Sequence, residues 1–270
     1  MSTGIPLDFI AENYDRARPS YPKRLFSDLF HYIGNTHRES NRLATIEIGP
    51  GTGQATSELL KRGATVAAIE PAPDLATFLR AKFPEEPYLV VINERFEDAP
   101  LPEGITDLVI AAASFDCLNR DTRYDKTLAL LRPGGVLAIV QEHHVTSETD
   151  RGYFNASKPI YDQYFDGEDS NALLDENITP AEVNEIISTH AFENVELFRY
   201  KFDLEYSTTL YADLVRSYSK TQQIPSEMRE SFIAALVSLI DNQFEGYVVQ
   251  PTVLTLLLAR KQQVDAAHSP

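Results

Sequence analysis

Near the start of the chain the apolar residues keep helical spacing. Leu25, Phe26, Leu29, Phe30 and Ile33 follow Pro22 and precede Gly34, which predicts an amphipathic helix with proline in its first turn and glycine just past its end. From Ala44 onward short apolar runs alternate with helical patterns. Strands are predicted at Ile46–Ile48, Thr65–Ile69, Tyr88–Ile92, Leu108–Ala112 and Val136–Val140, with helices between them at Ala55–Leu60, Asp74–Lys82 and Tyr124–Leu131. Apolar strands joined through helices make right-handed β-α-β crossovers, so residues 44–142 predict a parallel sheet covered on both faces.

After residue 142 the rhythm changes. Residues 145–178 carry many aromatic and acidic residues and no clear strand, and read as an insertion. Thr179-Pro180-Ala181-Glu182 has the form of a capping box, after which Val183, Ile186, Ile187 and His190 share one helical face. Val195–Tyr206 predicts a strand, and Tyr211–Ser219 and Glu227–Asn242 two helices. The second of these gathers Met228, Phe232, Ala235, Leu236, Leu239 and Ile240 on its apolar face. A last long strand, Tyr247–Arg260, returns antiparallel beside Val195–Tyr206, and its run Val253–Ala259 suits burial on both faces. The expected whole is a single α/β domain over 1–270: a doubly wound, mostly parallel seven-stranded sheet with an antiparallel last strand and a helical cap. Within it lie an N-terminal cap segment (1–34), a core (44–142), a lid insertion (145–190) and a helical insertion between the last two strands (207–245).

Charge narrows the partners. Forty acidic residues against 24 basic ones give a formal net charge of −16, which repels phosphate backbones and anionic lipid surfaces, so neither nucleic acid nor a membrane is expected as partner. With one cysteine, Cys117, the chain can build neither an internal disulfide nor a multi-cysteine zinc site, and Cys117 reads as a small buried side chain. No apolar run reaches the ~18 residues of a membrane span, and no basic stretch followed by an apolar one opens the chain, so a cytoplasmic protein is expected. His143 and His144 stand together without a third ligand at recognisable spacing, so no metal is expected.

The chemistry gathers where the strands end, because open parallel sheets bind ligands beyond the carboxyl ends of their strands. After the first core strand comes Gly49-Pro50-Gly51-Thr52-Gly53, three glycines spaced two apart between strand and helix, where the backbone can turn sharply and lie against a ligand. A dinucleotide fingerprint would place its third glycine one residue later, so the spacing argues against a nicotinamide oxidoreductase. Glu70 ends the second strand, where a carboxylate can accept hydrogen bonds from both hydroxyls of a ribose. Together the turn and Glu70 point to a nucleoside-containing ligand.

These stretches resemble the class I methyltransferases that use S-adenosylmethionine, of the bacterial small-molecule type. The resemblance is carried by Glu47-Ile-Gly-Pro-Gly-Thr-Gly53, Ala68-Ile-Glu-Pro71, Phe96-Glu-Asp-Ala-Pro-Leu-Pro102, Asp107-Leu-Val-Ile-Ala111 and Leu130-Leu-Arg-Pro-Gly-Gly-Val-Leu137, and reaches Tyr14-Asp-Arg-Ala-Arg-Pro-Ser-Tyr-Pro22. It implies S-adenosyl-L-methionine as cofactor and a small organic molecule as methyl acceptor. By the resemblance, Gly49, Gly51 and Gly53 hold the methionine part and Glu70 the ribose, while Arg95 and Phe96 line the adenine edge. Glu47 organises the loop and the ligand's ammonium group. Pro71 and Ala111 belong to the same cofactor-binding stretches, and Tyr14 and Arg18 close over the cofactor, Arg18 pairing with a carboxylate.

On the acceptor side, methyl transfer at oxygen or carbon is favoured, and the candidate bases are His143 and His144 after the fifth strand and Asp116 after the fourth. In many relatives the stretch after the fourth strand carries an aromatic pair with histidine; here it reads Phe115-Asp116-Cys117. Tyr21 and Phe115, with Tyr161, Tyr164 and Phe165 of the aromatic insertion, are the candidate acceptor contacts, the insertion acting as a lid. The alternative is a chain that keeps the fold and the pocket but has lost catalysis and serves as a binding or regulatory partner.

Overall fold

A computed structural model describes residues 20–34, 42–165 and 174–263, so Tyr14 and Arg18 lie outside the described residues. Helix α1 (Lys23–Ile33) begins after Pro22, whose missing N–H is not needed there, and stops at Gly34, whose φ of +72° suits glycine. The alternation that follows becomes β1 (Leu43–Ile48), α2 (Gln54–Lys61), β2 (Ala64–Ile69), α3 (Pro73–Lys82), β3 (Leu89–Ile92), β4 (Thr106–Ala112), α4 (Arg123–Leu130) and β5 (Leu131–His144). Then come α5 (Tyr153–Tyr164), α6 (Ala181–Ser188), β6 (Phe192–Ser207), α7 (Thr208–Ser217), α8 (Ser219–Gln223), α9 (Ser226–Gln243) and β7 (Tyr247–Lys261).

The seven strands form one sheet in the order β3-β2-β1-β4-β5-β7-β6, six of them parallel and β7 antiparallel between β5 and β6. Ile48 pairs with Ile69 on one side and with Ala111 on the other, so β1, β2 and β4 end in register. Their following loops therefore share one edge of the sheet.

The described residues group into two compact units. One takes its described residues from 21–34, 42–142, 179–200 and 254–263, the other from Ser20, 143–165, 174–178 and 201–253. The first is centred on the sheet: Ile46, Ile48, Ile69, Val109, Ala111, Leu137, Ile139, Leu257 and Ala259 form its core. Each fully buried isoleucine, leucine or valine side chain among them contributes about 1.5–3 kcal/mol. The buried carboxylate of Asp107 ties three strand starts together, accepting from the Ala44 N–H at 2.8 Å and from Arg132 Nε at 2.7 Å. The second unit has its own core, in which α5, α7 and α9 supply Tyr153, Tyr211, Val215, Phe232, Leu236 and Ile240.

Five local expectations are corrected. The capping box at Thr179 does not form: Pro180 is the N-cap of α6, Thr179 accepts from Arg199 at 3.1 Å, and Glu182 points to Arg123 instead of back to the helix start. Because Glu182 and Ile186 take the buried side of α6, Ile187 and His190 are exposed. In α9 the buried residues are Phe232, Ile233, Leu236 and Ile240, while Met228 at the helix start is 44% exposed. Cys117, expected inside, is exposed in the turn after β4. Finally, β5 starts before Arg132-Pro-Gly-Gly135. Thr106 pairs with Leu131 and Leu108 with Val136, so the turn is an irregularity within the strand, and Gly135 is required because a Cβ there would lie 2.9 Å from the Thr106 carbonyl oxygen.

Phe232 has no exposed surface, and its ring meets those of Tyr161, Tyr164 and Phe165 at centroid distances of 5.1, 5.4 and 5.1 Å. Phe232→Ala should therefore lower stability by about 3–5 kcal/mol in urea unfolding, through lost burial and the cavity left behind. A loss below about 1 kcal/mol would show that these rings do not depend on Phe232.

Candidate functional site

The loop after β1 is shaped by three glycines with different duties. Gly49, Gly51 and Gly53 have φ of +62°, +57° and +86°, a region that L side chains avoid. A Cβ at Gly49 would lie 2.6 Å from Ser114 Cβ, and one at Gly53 would lie 2.6 Å from Leu79 Cδ1 and 2.8 Å from Phe83 Cε2. The outer two glycines thus let the loop pack against the turn after β4 and against α3. Gly51, at the crest, donates its N–H to Glu70 Oε2 at 3.1 Å.

Glu70 is 4% exposed and holds two loops at once: its other oxygen, Oε1, accepts from the Ala72 N–H at 2.9 Å. Burial raises its pKa, and the two backbone N–H groups oppose that rise. Asn93, after β3, donates from its side chain to the Glu70 carbonyl at 2.8 Å and to that of Pro71 at 3.2 Å. Lys82 Nζ reaches the Thr52 carbonyl at 3.0 Å. Neither Asn93 nor Lys82 stood out in the sequence, since each acts through a backbone carbonyl that no side-chain pattern reveals.

Beneath the loop, Glu47 is 1% exposed. Its Oε2 accepts from the Thr56 hydroxyl at 2.6 Å, and its Oε1 is buried with no hydrogen-bond partner. Burial pushes its pKa up to about 7 from an ordinary 4.5, with the Thr56 hydrogen bonds opposing and the Glu70 charge adding to the rise. A buried acceptor left without a donor is costly, and a cationic group laid along the glycine turn would satisfy it.

The turn after β4 supplies the other wall of this loop. Ser114 donates its hydroxyl to the Ile48 carbonyl, and Ala113 adopts φ +57° despite its side chain. Phe115 is 1% exposed, its ring 5.4 Å from that of Tyr124 and 4.6 Å from the Arg123 guanidinium carbon. Asp116 is exposed, and both its oxygens accept from Gln141 Nε2 at 3.2 Å.

The remaining predicted residues divide between the two units. In the sheet unit, Phe96 is buried in the core with Lys126 Nζ 5.3 Å above its ring, which supports a packing role. Arg95 is exposed beside Glu97 and Asp98, and its carbonyl accepts the N–H groups of Asp98 and Ala99. Pro71 is exposed, Ala111 has no exposed surface inside β4, and Tyr21 rests edge-on against Phe26. In the other unit, His143 and His144 are half-buried at the end of β5, where successive side chains point to opposite faces. Tyr161, Tyr164 and Phe165 pack around Phe232 there. Among the described residues no group of three His, Cys, Asp or Glu side chains is placed to hold a metal ion, and no helix is long and apolar enough to cross a membrane.

Residues 46–139 match the family described as "Methyltransferase domain". An uncharacterized methyltransferase of Mycobacterium tuberculosis is 30% identical over 127 residues, which are 47% of this chain and 48% of that protein. The chain thus spans about half the length of the curated relatives it matches first. Among solved structures, the phosphoethanolamine N-methyltransferase 2 of Haemonchus contortus in complex with S-adenosyl-L-methionine superposes with a TM-score of 0.55 at 13% identity, covering 95% of this chain and 57% of that one. A Galdieria sulphuraria protein described as a sarcosine dimethylglycine methyltransferase gives 0.51 at 15% identity, covering 89% and 84%. At such identities these two share the fold.

The buried Glu47 makes stability pH-dependent with a definite sign. Its folded pKa of about 7 lies above the unfolded value near 4.5, so the folded state binds more protons between the two. The Glu47 contribution to stability should be fully present below pH ~4.5 and be lost as pH rises through about 7, by about 3 kcal/mol for a shift of this size. Glu47→Gln should flatten that fall in urea unfolding between pH 5 and pH 8. An unchanged slope in the variant would mean that another group carries it.

Proposed function

We propose that this chain, which through its core belongs to the class I S-adenosylmethionine-dependent methyltransferases, transfers a methyl group from S-adenosyl-L-methionine to a small organic molecule, at oxygen or carbon. The observation that carries the reading is the unpartnered, buried Glu47 oxygen at the foot of a left-handed glycine turn that is itself pinned by Glu70. An ammonium group suits Glu47, and a carboxylate laid along the loop suits the N–H groups of a glycine turn. Glu70, with a lone pair left on each oxygen, can accept from ribose hydroxyls without releasing Gly51 or Ala72.

S-adenosyl-L-methionine supplies a methyl group already activated by a positive sulfur. What remains for the protein is to hold the acceptor in line with that carbon and exclude water. Asp116, His143 and His144 are the groups able to take the proton of an acceptor hydroxyl or carbon acid. In this reading Tyr21 and Phe115 belong to the acceptor side.

A second reading, binding without catalysis, draws support from Phe115, which is buried and so offers a ligand little surface. Release of labelled methyl product separates the two readings. Calorimetry should register S-adenosylhomocysteine and not NAD, and Glu70→Ala should weaken that binding by roughly 1–3 kcal/mol through lost charge-assisted hydrogen bonds. Undiminished affinity in the variant would remove Glu70 from the site.

A further inference from the structure

Helix α4 sends two cations to two separate turns of the sheet unit. Arg123 and Lys126 lie three residues apart and so on one face of the helix. Arg123 is 1% exposed, and its Nη2 meets the carboxylates of Glu185 and, at 3.4 Å, Glu182, both on α6. Its Nη1 donates elsewhere, to the Phe115 carbonyl in the turn after β4, at 3.2 Å. Lys126 passes its Nζ 5.3 Å from the centre of the Phe96 ring and donates to the carbonyls of Glu97 at 2.8 Å and Ala99 at 2.9 Å. Those two carbonyls belong to the connection after β3.

The topology makes both holds necessary. Ile92 is in register with Ile69, so the chain leaves β3 beside Glu70 and must then pass β2 and β1 to enter β4. Residues 93–105 form neither helix nor strand, so no ladder of their own fixes their path. Lys126 catches that path at Glu97 and Ala99, and the Asn119 N–H donates to Glu97 Oε1 at 2.9 Å. The turn after β4 has the opposite task, a close approach to the glycine turn: Ser114 donates to the Ile48 carbonyl, and its Cβ stands where a side chain at Gly49 would be. Arg123 holds the next residue, Phe115, and is itself held by two carboxylates.

We propose that Arg123 and Lys126 are positioning residues for the cofactor, acting on different parts of it without touching it. Lys126 sets the stretch 95–99, which leaves the sheet beside Glu70, so that a base joined to a ribose on Glu70 lies against it. Arg123 sets the Ser114–Phe115 turn, which backs the glycine turn and with it the seat of the methionine part. Both side chains spend their donors on backbone carbonyls, and a turn held that way keeps its shape before any ligand arrives. The inference rests on the reading of Glu70 and the glycine turn as the cofactor site, and deepens it by assigning each half of the site its support.

Hydrogen exchange on the full chain, read amide by amide without ligand, tests the division of labour. Lys126→Met keeps the stem over Phe96 and removes the donors. It should speed exchange at Asp98 and Ala99, whose N–H groups bond the Arg95 carbonyl, and spare Cys117 and Leu118, which bond Ser114 and Phe115. Arg123→Lys keeps a charge beside Glu182 and Glu185 but loses the fork to Phe115, and should do the reverse. No change at either turn, or equal acceleration at both by either variant, would overturn the proposal, since general loosening would explain the latter. Binding then separates positioning from plain support: S-adenosylhomocysteine should bind each variant about tenfold more weakly, whereas adenosine, which lacks the methionine part, should weaken with Lys126→Met alone. Adenosine affected alike by both variants would overturn the assignment. No binding of either ligand by the wild-type protein would overturn the cofactor reading, while the exchange pattern would still decide whether the two cations hold the two turns.

Discussion

Right-handed crossovers constrain this chain more than any single contact. A strand order of β3-β2-β1 on one side and β4-β5 on the other can arise from right-handed connections only if the winding reverses once, at β1. At that reversal the loops after β1 and β4 leave on opposite faces and open a crevice between them. Because Ile48, Ile69 and Ala111 are in register, the glycine turn, Glu70 and the Ser114 turn all reach the same edge. Ser114 then closes against Gly49 so tightly that no side chain fits there. The location of the site follows from handedness, and its shape from which residues can be small.

How much of this was legible in the sequence depends on the range of the interaction. The strands and helices of 44–142 were legible because burial writes a local signal, an apolar run, and each run became a strand, even β3 at the sheet edge where Val90 is exposed. The glycine turn and Glu70 were legible because each pairs an unusual residue with a strand end. Arg123 was not. A charged residue in a helical pattern reads as surface, and it becomes an interior residue only through Glu182 and Glu185, 59 and 62 positions away in the chain. The capping box at Thr179 failed for the same reason: Arg199, arriving from β6, takes the Thr179 hydroxyl, and Arg123 takes Glu182. Met228 fell on the expected face of α9, but at the helix start, where the face is exposed.

The aromatic insertion shows what composition can and cannot say. Its density of rings signalled burial, and burial is what they have: Tyr153 and Tyr211 meet edge to face at 5.4 Å, and the Tyr161 and Tyr211 hydroxyls lie 3.3 Å apart. What composition could not supply was the partner, since α7 and α9 come from a stretch some 50–90 residues later in the chain. Residues from both stretches, Tyr153 from the first and Tyr211, Phe232 and Leu236 from the second, share one core. Buried tyrosine hydroxyls raise the cost of that core unless each finds a partner, which the shared hydrogen bonds among Tyr161, Tyr211 and Gln250 go some way to meet.

A strongly acidic chain has to accommodate the carboxyls it takes wholly or partly out of water, and three of them here are held by three different devices. Glu70 is held by backbone N–H groups, which stay in place at every pH and cost the loop its freedom. Glu185 is held by a guanidinium and a phenol, fixed charges and donors that likewise do not titrate near neutrality. Glu47 has one hydroxyl and an unmet oxygen, so its charge is left to a proton or to whatever cation the loop receives. The first two devices make structure, because their partners are permanent. The third leaves a group whose ionisation is coupled to occupancy: a ligand cation at Oε1 would displace the proton that burial otherwise retains. Of these three carboxyls, the one with an oxygen left unmet is also the one beneath the glycine turn, and an arrangement that would be a liability in a scaffold is what a binding site for a positively charged group requires.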